Sequence, residues 1–236
     1  MKNAEQVKGA IKNMAVKMNL RPQEVLQIFM FERLVERLAA SEYKNNFILK
    51  GRLLIASMIG IHERPIMDNE YNNFCVSICA NYGKMKVPMK IDITTGDIIT
   101  PGQINYSYPF MFEEKSVMVK AYTLETILAE KYETILRRSI GNTRARVFYD
   151  LFILFKLKDK EVHWNILKEA VLATAKKRGA LEEIKEYPEI VKDIQESKFL
   201  KRIWEKYQKE NTYSREITFS ETWKVVLQIG NILQNY

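Results

Sequence analysis

The sequence is poor in the residues that most often build disulfides and soft-metal sites. Its 236 residues include two cysteines, Cys75 and Cys79, and two histidines, His62 and His163. The cysteines are four positions apart in a strand-like segment, so they would share one strand face but stand too far apart for a disulfide. We expect both to be small buried side chains. A zinc site would lack ligands, and any metal should be a hard cation held by carboxylates.

Long apolar runs and known phosphate loops are also lacking. No stretch is long and apolar enough to span a bilayer, and the chain begins with a polar amphipathic pattern instead of a signal-peptide core. We therefore expect a cytoplasmic protein with no membrane partner. The GxxxxGK(S/T) and GxGxxG patterns do not occur, and no serine or cysteine has a neighbouring histidine or glycine elbow that would indicate acyl transfer.

The charge of the chain is positive and unevenly distributed. The net charge is +8, and residues 131–178 carry twelve Lys or Arg against five Asp or Glu, whereas residues 1–118 carry fifteen against twelve. A basic segment of this kind attracts phosphates and nucleic acid backbones. Many solvated helices are merely rich in lysine, so the charge alone leaves both interpretations open.

The first sixty residues are predicted to be helical, and the pattern then changes to strands. Pro22 suits the first turn of a second helix, and Gly51 interrupts a third apolar segment where a phosphate would find backbone N–H groups at a helix start. An ordinary helix with one glycine is the simpler alternative there. Strands are predicted at Phe74–Cys79, Lys86–Ile93, Ile104–Phe112 and Val117–Ala121.

The second half of the chain is predicted to be helical. Thr123 is expected to cap a helix that runs to about Arg138, and Ser220 is expected to cap the last one. Further helices are predicted at Arg146–Leu157, Trp164–Lys177, Leu181–Tyr207 and Ser220–Leu233. The sequence therefore predicts an α+β protein, with a mixed-sheet core in residues 1–120 and a helical domain in residues 121–236.

Three acidic positions are candidates for a metal site. Asp68 and Glu70 form an acid-x-acid pair whose side chains would share one strand face, and Asp92 lies on a second strand, on the face it shares with Lys90. Carboxylates on neighbouring strands can hold Mg²⁺ against a nucleoside triphosphate. Acid-x-acid pairs are also common in loops, so the spacing alone does not decide between these interpretations.

A group of basic residues in the helical half is a second candidate. Lys131 and Arg138 are seven positions apart and would share a helix face, and Arg146 and Asp150 are four apart and would pair. These cations would bind a triphosphate or an RNA backbone. A salt-bridged helical hairpin is the alternative interpretation.

Several sequence blocks occur in a characteristic order along the chain. They are YKNNFILKGRLL (43–54), KVPMKIDITTGDIITP (86–101) and YTLETILAEKYETILRRSIGNTRARVFYDLFIL (122–154), with LQIFMFERLVERL before them and KYQKENTYSREITFSETW after them. Together they resemble the AbiEii/AbiGii toxin family of nucleotidyltransferases. The resemblance covers nearly the whole chain.

The resemblance implies a nucleotidyltransferase-like mixed sheet with N-terminal helices and a C-terminal helical domain. In the family a glycine turn helps to bind the triphosphate, and acidic strand residues bind the metals. By this correspondence Gly51 is the turn, Asp68 the first metal ligand and catalytic residue, and Asp92 the third acidic position. The supporting positions of the nucleotide pocket correspond to Lys90, Lys131, Arg144, Arg146 and Asp150.

The chain also departs from the family pattern at several positions. Arg52 stands where the family has a second small residue, and Val147 stands where it has an acid. Residues 69–74 resemble the end of a longer stretch, so the second metal ligand is lacking and the predicted core is incomplete. Either this member has lost the stretch, or the sequence is without a segment that holds it.

The function that the resemblance implies is Mg²⁺-dependent transfer of a nucleotide from a triphosphate, GTP or CTP, to an RNA such as tRNA. The protein would be the toxin of a toxin–antitoxin or phage-defence pair, with a cognate antitoxin as its partner. Two alternatives stay open. The first is a degenerate, non-catalytic member that binds a nucleotide or a partner, and the second is a basic helical RNA-binding module.

Overall fold

A computed structural model describes residues 4–60 and 74–236 of the chain, and these residues form two compact units. The first unit contains the described residues up to Asp97 together with Ile104–Ala121. The second contains Ile98–Gln103 and Tyr122–Tyr236. In neither range described is there a helix long and apolar enough to cross a bilayer.

Two helices open the first unit. Helix α1 spans Ala4–Met18 and α2 spans Pro22–Ala40, and a short 3-10 turn, Glu42–Asn45, follows. Pro22 lies in the first turn of α2, as predicted, because a proline there loses no intrahelical hydrogen bond. The Glu24 carboxylate accepts from the backbone N–H of Arg21 at 2.8 Å, which satisfies one of the donors at the helix start.

The strands of the first unit form two sheets. Strand β1 is Ile48–Leu49, helix α3 is Gly51–Ile59, and the remaining strands are β2 (Phe74–Tyr82), β3 (Met85–Ile93), β4 (Ile104–Pro109) and β5 (Ser116–Ala121). One sheet is mixed and has the order β1-β5-β4, with β1 parallel and β4 antiparallel to β5. The other is the antiparallel hairpin of β2 and β3.

The hairpin has one buried and one open face. Val87 and Met89 of β3 are buried and pack into a core with residues of α1 and α2, among them Val7 and Phe29. Because side chains alternate along a strand, the neighbouring residues of β3 point to the other side. That open face carries Cys75, Ser77, Cys79 and Asn81 of β2 and Lys86, Pro88, Lys90 and Asp92 of β3.

This register confirms that Lys90 and Asp92 share a face, but it corrects the prediction for the cysteines. Cys75 and Cys79 do not bond to each other, as expected, but both are exposed instead of buried. Their partners across the hairpin are Asp92 and Pro88, which places them on the open face and not on the packed one. An alternating pattern fixes which residues share a face but not which of the two faces is covered.

The second unit consists of seven α-helices within the described residues. They are α4 (Leu124–Arg138), α5 (Ala145–Lys158), α6 (Trp164–Arg178), α7 (Leu181–Lys185), α8 (Tyr187–Glu196), α9 (Lys198–Glu210) and α10 (Phe219–Gln234). The predicted cap of α4 is confirmed, because the Thr123 hydroxyl accepts from the N–H of Thr126. With the mixed sheet and the N-terminal helices, these elements confirm the predicted α+β class.

Two of the predicted helix boundaries are wrong. The single helix expected at Leu181–Tyr207 is three helices, because Pro188 lies in a first turn and the Ser197 side chain caps the next helix by accepting from Leu200 N–H. The last helix is capped by Thr218, not by Ser220. Thr218 and Glu221 form a reciprocal capping box there, which a serine two positions later does not have.

A buried carboxylate holds the β4–β5 turn of the first unit against α2. Glu32 is 1% exposed and accepts from the backbone N–H of Met111 at 2.7 Å. Its second oxygen has no hydrogen-bond partner in the described structure. Burial raises the pKa of Glu32 to about 7, and the Met111 hydrogen bond and the charge of Arg33 oppose this only in part.

This pKa shift predicts a pH-dependent stability. Glu32 holds its proton more tightly when folded than when unfolded, so its contribution to stability is greatest at acid pH and falls as pH rises towards and past 7. Glu32→Gln keeps the acceptor for Met111 and removes the charge. We expect this variant to be more stable than the wild type by about 1–3 kcal/mol at pH 8 and by much less at pH 5.

Thermal unfolding of the full chain at both pH values measures this difference. Glu114→Gln, at an exposed position in the same turn, is the matched control and should change stability little at either pH. Equal destabilisation by Glu32→Gln at pH 5 and pH 8 would show that Glu32 is ionised throughout.

Candidate functional site

The predicted site residues fall into two sets, one in each unit. The first unit holds Gly51, Lys90 and Asp92, and the second holds Lys131, Arg144, Arg146 and Asp150. Asp68 and Glu70, the acid-x-acid pair, lie outside the described residues.

Asp92 and Lys90 lie on the open face of the hairpin. Asp92 is half-buried, whereas Lys90 is exposed. Cys75 stands opposite Asp92, and its thiol donates a hydrogen bond to the carboxylate. Local desolvation raises the pKa of the Cys75 thiol, the hydrogen bond and charge of Asp92 raise it further, and Lys90 opposes the shift. Asp92 is thus a carboxylate on an accessible face, with a cation beside it.

Gly51 forms the junction between β1 and α3. Its φ is +68°, a backbone conformation that other residues rarely adopt. A Cβ at this position would meet no atom within 4 Å, so the conformation, and not a lack of space, requires glycine. The preceding residue, Lys50, is extended, and α3 starts at the turn. The predicted glycine turn at a helix start is therefore present, with the half-buried Arg52 following it.

The loop after β3 carries a contact that the sequence patterns did not predict. Lys50 Nζ lies 2.5 Å from Asp97 Oδ2, and the Thr94 hydroxyl donates to the same oxygen. Lys50 and Asp97 are 47 positions apart in the chain. The signal that would have found Asp97 is the KIDITTGD block, which continues past Asp92 and ends on this residue.

The described carboxylates do not by themselves form a metal-binding cluster. Within residues 4–60 and 74–236, no group of three or more His, Cys, Asp or Glu side chains is placed to hold a metal ion. Mg²⁺ is commonly bound by one or two carboxylates, with waters and substrate phosphates supplying the other ligands. Asp92 fits the role of one such carboxylate, and Asp68, the other one expected, lies outside the described residues.

In the second unit, Lys131 and Asp150 form an ion pair between α4 and α5. Lys131 Nζ lies 3.3 Å from Asp150 Oδ2, and the two side chains are 16% and 1% exposed. Arg144 immediately precedes α5, where its backbone N–H donates to Asn142 Oδ1 at 3.0 Å, and Arg146 lies in the first turn. Both arginines are half-buried. The pairing of Arg146 with Asp150 stays a prediction.

Part of the basic surplus in residues 131–178 is used in internal ion pairs. Glu133 of α4 is fully buried and contacts two arginines, Arg137 at 2.5 Å and Arg178 at 2.6 Å. Lys158 pairs with Glu161. The salt-bridged helices offered as an alternative are therefore present, and the charge count of this segment overstates the charge that is available to a ligand.

The comparison with known proteins identifies the class. A family model described as "Nucleotidyl transferase AbiEii toxin, Type IV TA system" matches residues 68–228, more than half of the chain. The protein is thus a nucleotidyltransferase-type toxin by class, and the chain belongs to the AbiEii family. Asp92, Lys131 and Asp150 lie within the matched residues, whereas Gly51 lies before them. No curated protein and no solved structure matches the chain.

The contact between Cys75 and Asp92 predicts the reactivity of the thiol. Asp92→Asn removes the charge that raises the pKa of Cys75, so more thiolate will be present near pH 8. We expect alkylation of Cys75 to become about two- to fivefold faster. Mass spectrometry of the labelled protein measures the rate at each cysteine separately.

Cys79 supplies an internal control for this measurement. It lies on the same open face, opposite Pro88 instead of Asp92, and its labelling rate should not change. An unchanged or slower rate at Cys75 in Asp92→Asn would mean that the carboxylate does not act on the thiol.

The buried ion pair of the second unit predicts a coupling between its partners. Lys131→Met removes the cation from a carboxylate that is 1% exposed, and we expect a loss of about 2–4 kcal/mol in the free energy of unfolding. Adding Asp150→Asn should recover part of this loss, because the buried charge is then removed as well. Urea unfolding of the two single variants and the double variant measures the coupling. Strictly additive effects would contradict it.

Proposed function

We propose that this toxin transfers a nucleotide from a nucleoside triphosphate, GTP or CTP, to an RNA acceptor such as tRNA, with the help of Mg²⁺. The support is membership of the family together with the placement of Asp92 on an accessible sheet face beside Lys90. The two compact units are proposed to be the nucleotidyltransferase-like domain and the helical domain expected at residues 1–120 and 121–236.

The proposed role of the hairpin face is to hold the charge of the triphosphate. Asp92, with Asp68, would be a metal ligand and catalytic residue, and Mg²⁺ would neutralise the phosphate oxygens and align the reacting groups. Lys90 is exposed on the same face, where its ammonium group is free to approach a phosphate oxygen. The Gly51 turn would present backbone N–H groups at the start of α3.

The helical unit is proposed to contribute cations. Arg144 and Arg146 lie at the start of α5, where the helix dipole also favours an anion. Lys131 is held by Asp150 and keeps 16% of its side chain exposed, so the pair is compatible with a contact to a phosphate oxygen. The same cations would bind the phosphate backbone of an RNA acceptor. This predicts acceptor binding that weakens as the salt concentration rises.

The test is label transfer by purified protein supplied with Mg²⁺, total tRNA and each radiolabelled triphosphate in turn. We expect transfer with GTP or CTP, a loss of about 100-fold or more in Asp92→Asn and a loss of about tenfold in Lys90→Gln. Lys86→Gln is the matched control, because Lys86 lies on the same open face away from Asp92. Failure to detect transfer, or equal transfer in Asp92→Asn, would reject the proposal.

Several observations favour a non-catalytic nucleotide-binding member as the second candidate. Arg52 and Val147 depart from the family pattern, and the second acidic metal ligand of that pattern is lacking from the sequence. Calorimetric titration with GTP and with CTP, each with Mg²⁺, separates the candidates. Binding without transfer would favour this second one.

The biological role is proposed to be that of the toxin in a toxin–antitoxin or phage-defence pair, with a cognate antitoxin as partner. The corresponding measurement is the growth of cells that express the protein. Growth arrest by the wild type that is lost in Asp92→Asn and kept in Lys86→Gln would connect the toxicity to the proposed chemistry. Arrest that survives Asp92→Asn would favour the non-catalytic candidate.

A further inference from the structure

The contact between Lys50 and Asp97 joins two segments that carry candidate site residues. Lys50 lies between β1 and α3 and immediately precedes the Gly51 turn, and Asp97 lies in the loop after β3. Their ion pair measures 2.5 Å, and Thr94 donates a second hydrogen bond to the same carboxylate oxygen. Lys50, Thr94 and Asp97 are called the clamp below.

The Lys50–Asp97 ion pair of the clamp is partly buried and therefore contributes to the local structure. The side chains of Lys50 and Asp97 are 27% and 24% exposed, so solvent screens this pair less than a fully exposed one. A cation next to the N-terminus of a helix is unfavourable by itself, because that end of the helix carries a partial positive charge. The Asp97 carboxylate offsets this repulsion and allows Lys50 to stay beside the start of α3.

We propose that Asp97 is a positioning residue of the nucleotide site. By holding Lys50 it fixes the Gly51 turn relative to the end of β3, the strand that carries Asp92. This inference rests on the proposed function, and it assigns to the last residue of the KIDITTGD block a role distinct from metal binding.

The clamp lies close in sequence to both Asp92 and Gly51. Thr94 directly follows the last residue of β3, and Thr94 and Asp97 lie two and five positions beyond Asp92, whereas Lys50 lies one position before Gly51. A backbone turn that binds phosphate and a carboxylate that binds metal must keep a constant separation to act on one triphosphate. A displacement of about 1 Å in such a site can cost on the order of 100-fold in rate.

The test uses Asp97→Asn, Lys50→Gln, their double variant and the conservative Lys50→Arg, all in the full chain. Two readouts are taken for each: nucleotide-transfer kinetics, and hydrogen exchange of the backbone amides in residues 51–55. Glu36→Gln is the matched control, because it removes another paired carboxylate of the same unit, which lies 2.5 Å from Lys115 and 2.9 Å from Arg33.

We expect Asp97→Asn and Lys50→Gln to raise the KM for the triphosphate about tenfold and to speed exchange in residues 51–55. The double variant should cost less than the sum of the two single ones, because both single variants break the Lys50–Asp97 contact. Lys50→Arg should keep most of the wild-type KM, and Glu36→Gln should change neither readout. A clamp with a purely structural role would change exchange or stability and leave KM as it is.

The outcomes separate this inference from the proposed function. Unchanged exchange in Asp97→Asn overturns the clamp, and faster exchange with an unchanged KM overturns its positioning role. If the wild type neither binds nor transfers a nucleotide, the proposed function fails, and the positioning role fails with it. Wild-type activity together with a KM that is the same in Asp97→Asn rejects the inference alone.

Discussion

The first unit depends on the strand register of the β2–β3 hairpin, which gives the hairpin one buried and one open face. Val87 and Met89 are buried against α1 and α2, and this burial holds the strand in place. A slip of one residue would expose this pair and turn Lys90 and Asp92 into the core, at the cost of burying two charges. The same packing that stabilises the hairpin therefore decides that the candidate metal ligand points outward.

In the second unit, burial and charge are combined differently. Asp150 and Glu133 are buried carboxylates, and each is held by a cation from the same or a neighbouring helix. Such pairs add little stability compared with apolar packing, but losing one partner is costly. A buried carboxylate that pairs with a lysine or arginine fixes the position of that cation. This applies most directly to Lys131, since part of its side chain reaches the surface.

The sequence predicted most of the fold because its signals were local. The alternation in β3, the proline at the start of α2 and the Thr123 cap each act within a few residues. The error on the cysteines arose because the outcome depended on distant parts of the chain, whereas the errors at Leu181–Tyr207 and at Ser220 overlooked local signals, the proline at the start of α8 and the caps of α9 and α10. Whether Cys75 was buried depended on which hairpin face α1 and α2 cover. The Lys50–Asp97 contact joins segments 47 positions apart, and no local spacing reveals it. The shared face of Lys90 and Asp92 was predicted correctly, because alternation along a single strand is a local property.

The clamp and the hairpin together suggest how the site keeps its geometry. Asp92 is held by a strand with a packed face, whereas Gly51 lies in a turn with a positive φ between β1, which pairs with β5, and α3, whose Leu54 and Ile55 are buried. The ion pair of Lys50 with the loop that follows β3 adds a further contact next to this turn. The strand thus supports both elements, Asp92 directly and Gly51 through Asp97. The KIDITTGD block thus contains both Asp92 on the strand and Asp97 in the loop, which contacts Lys50.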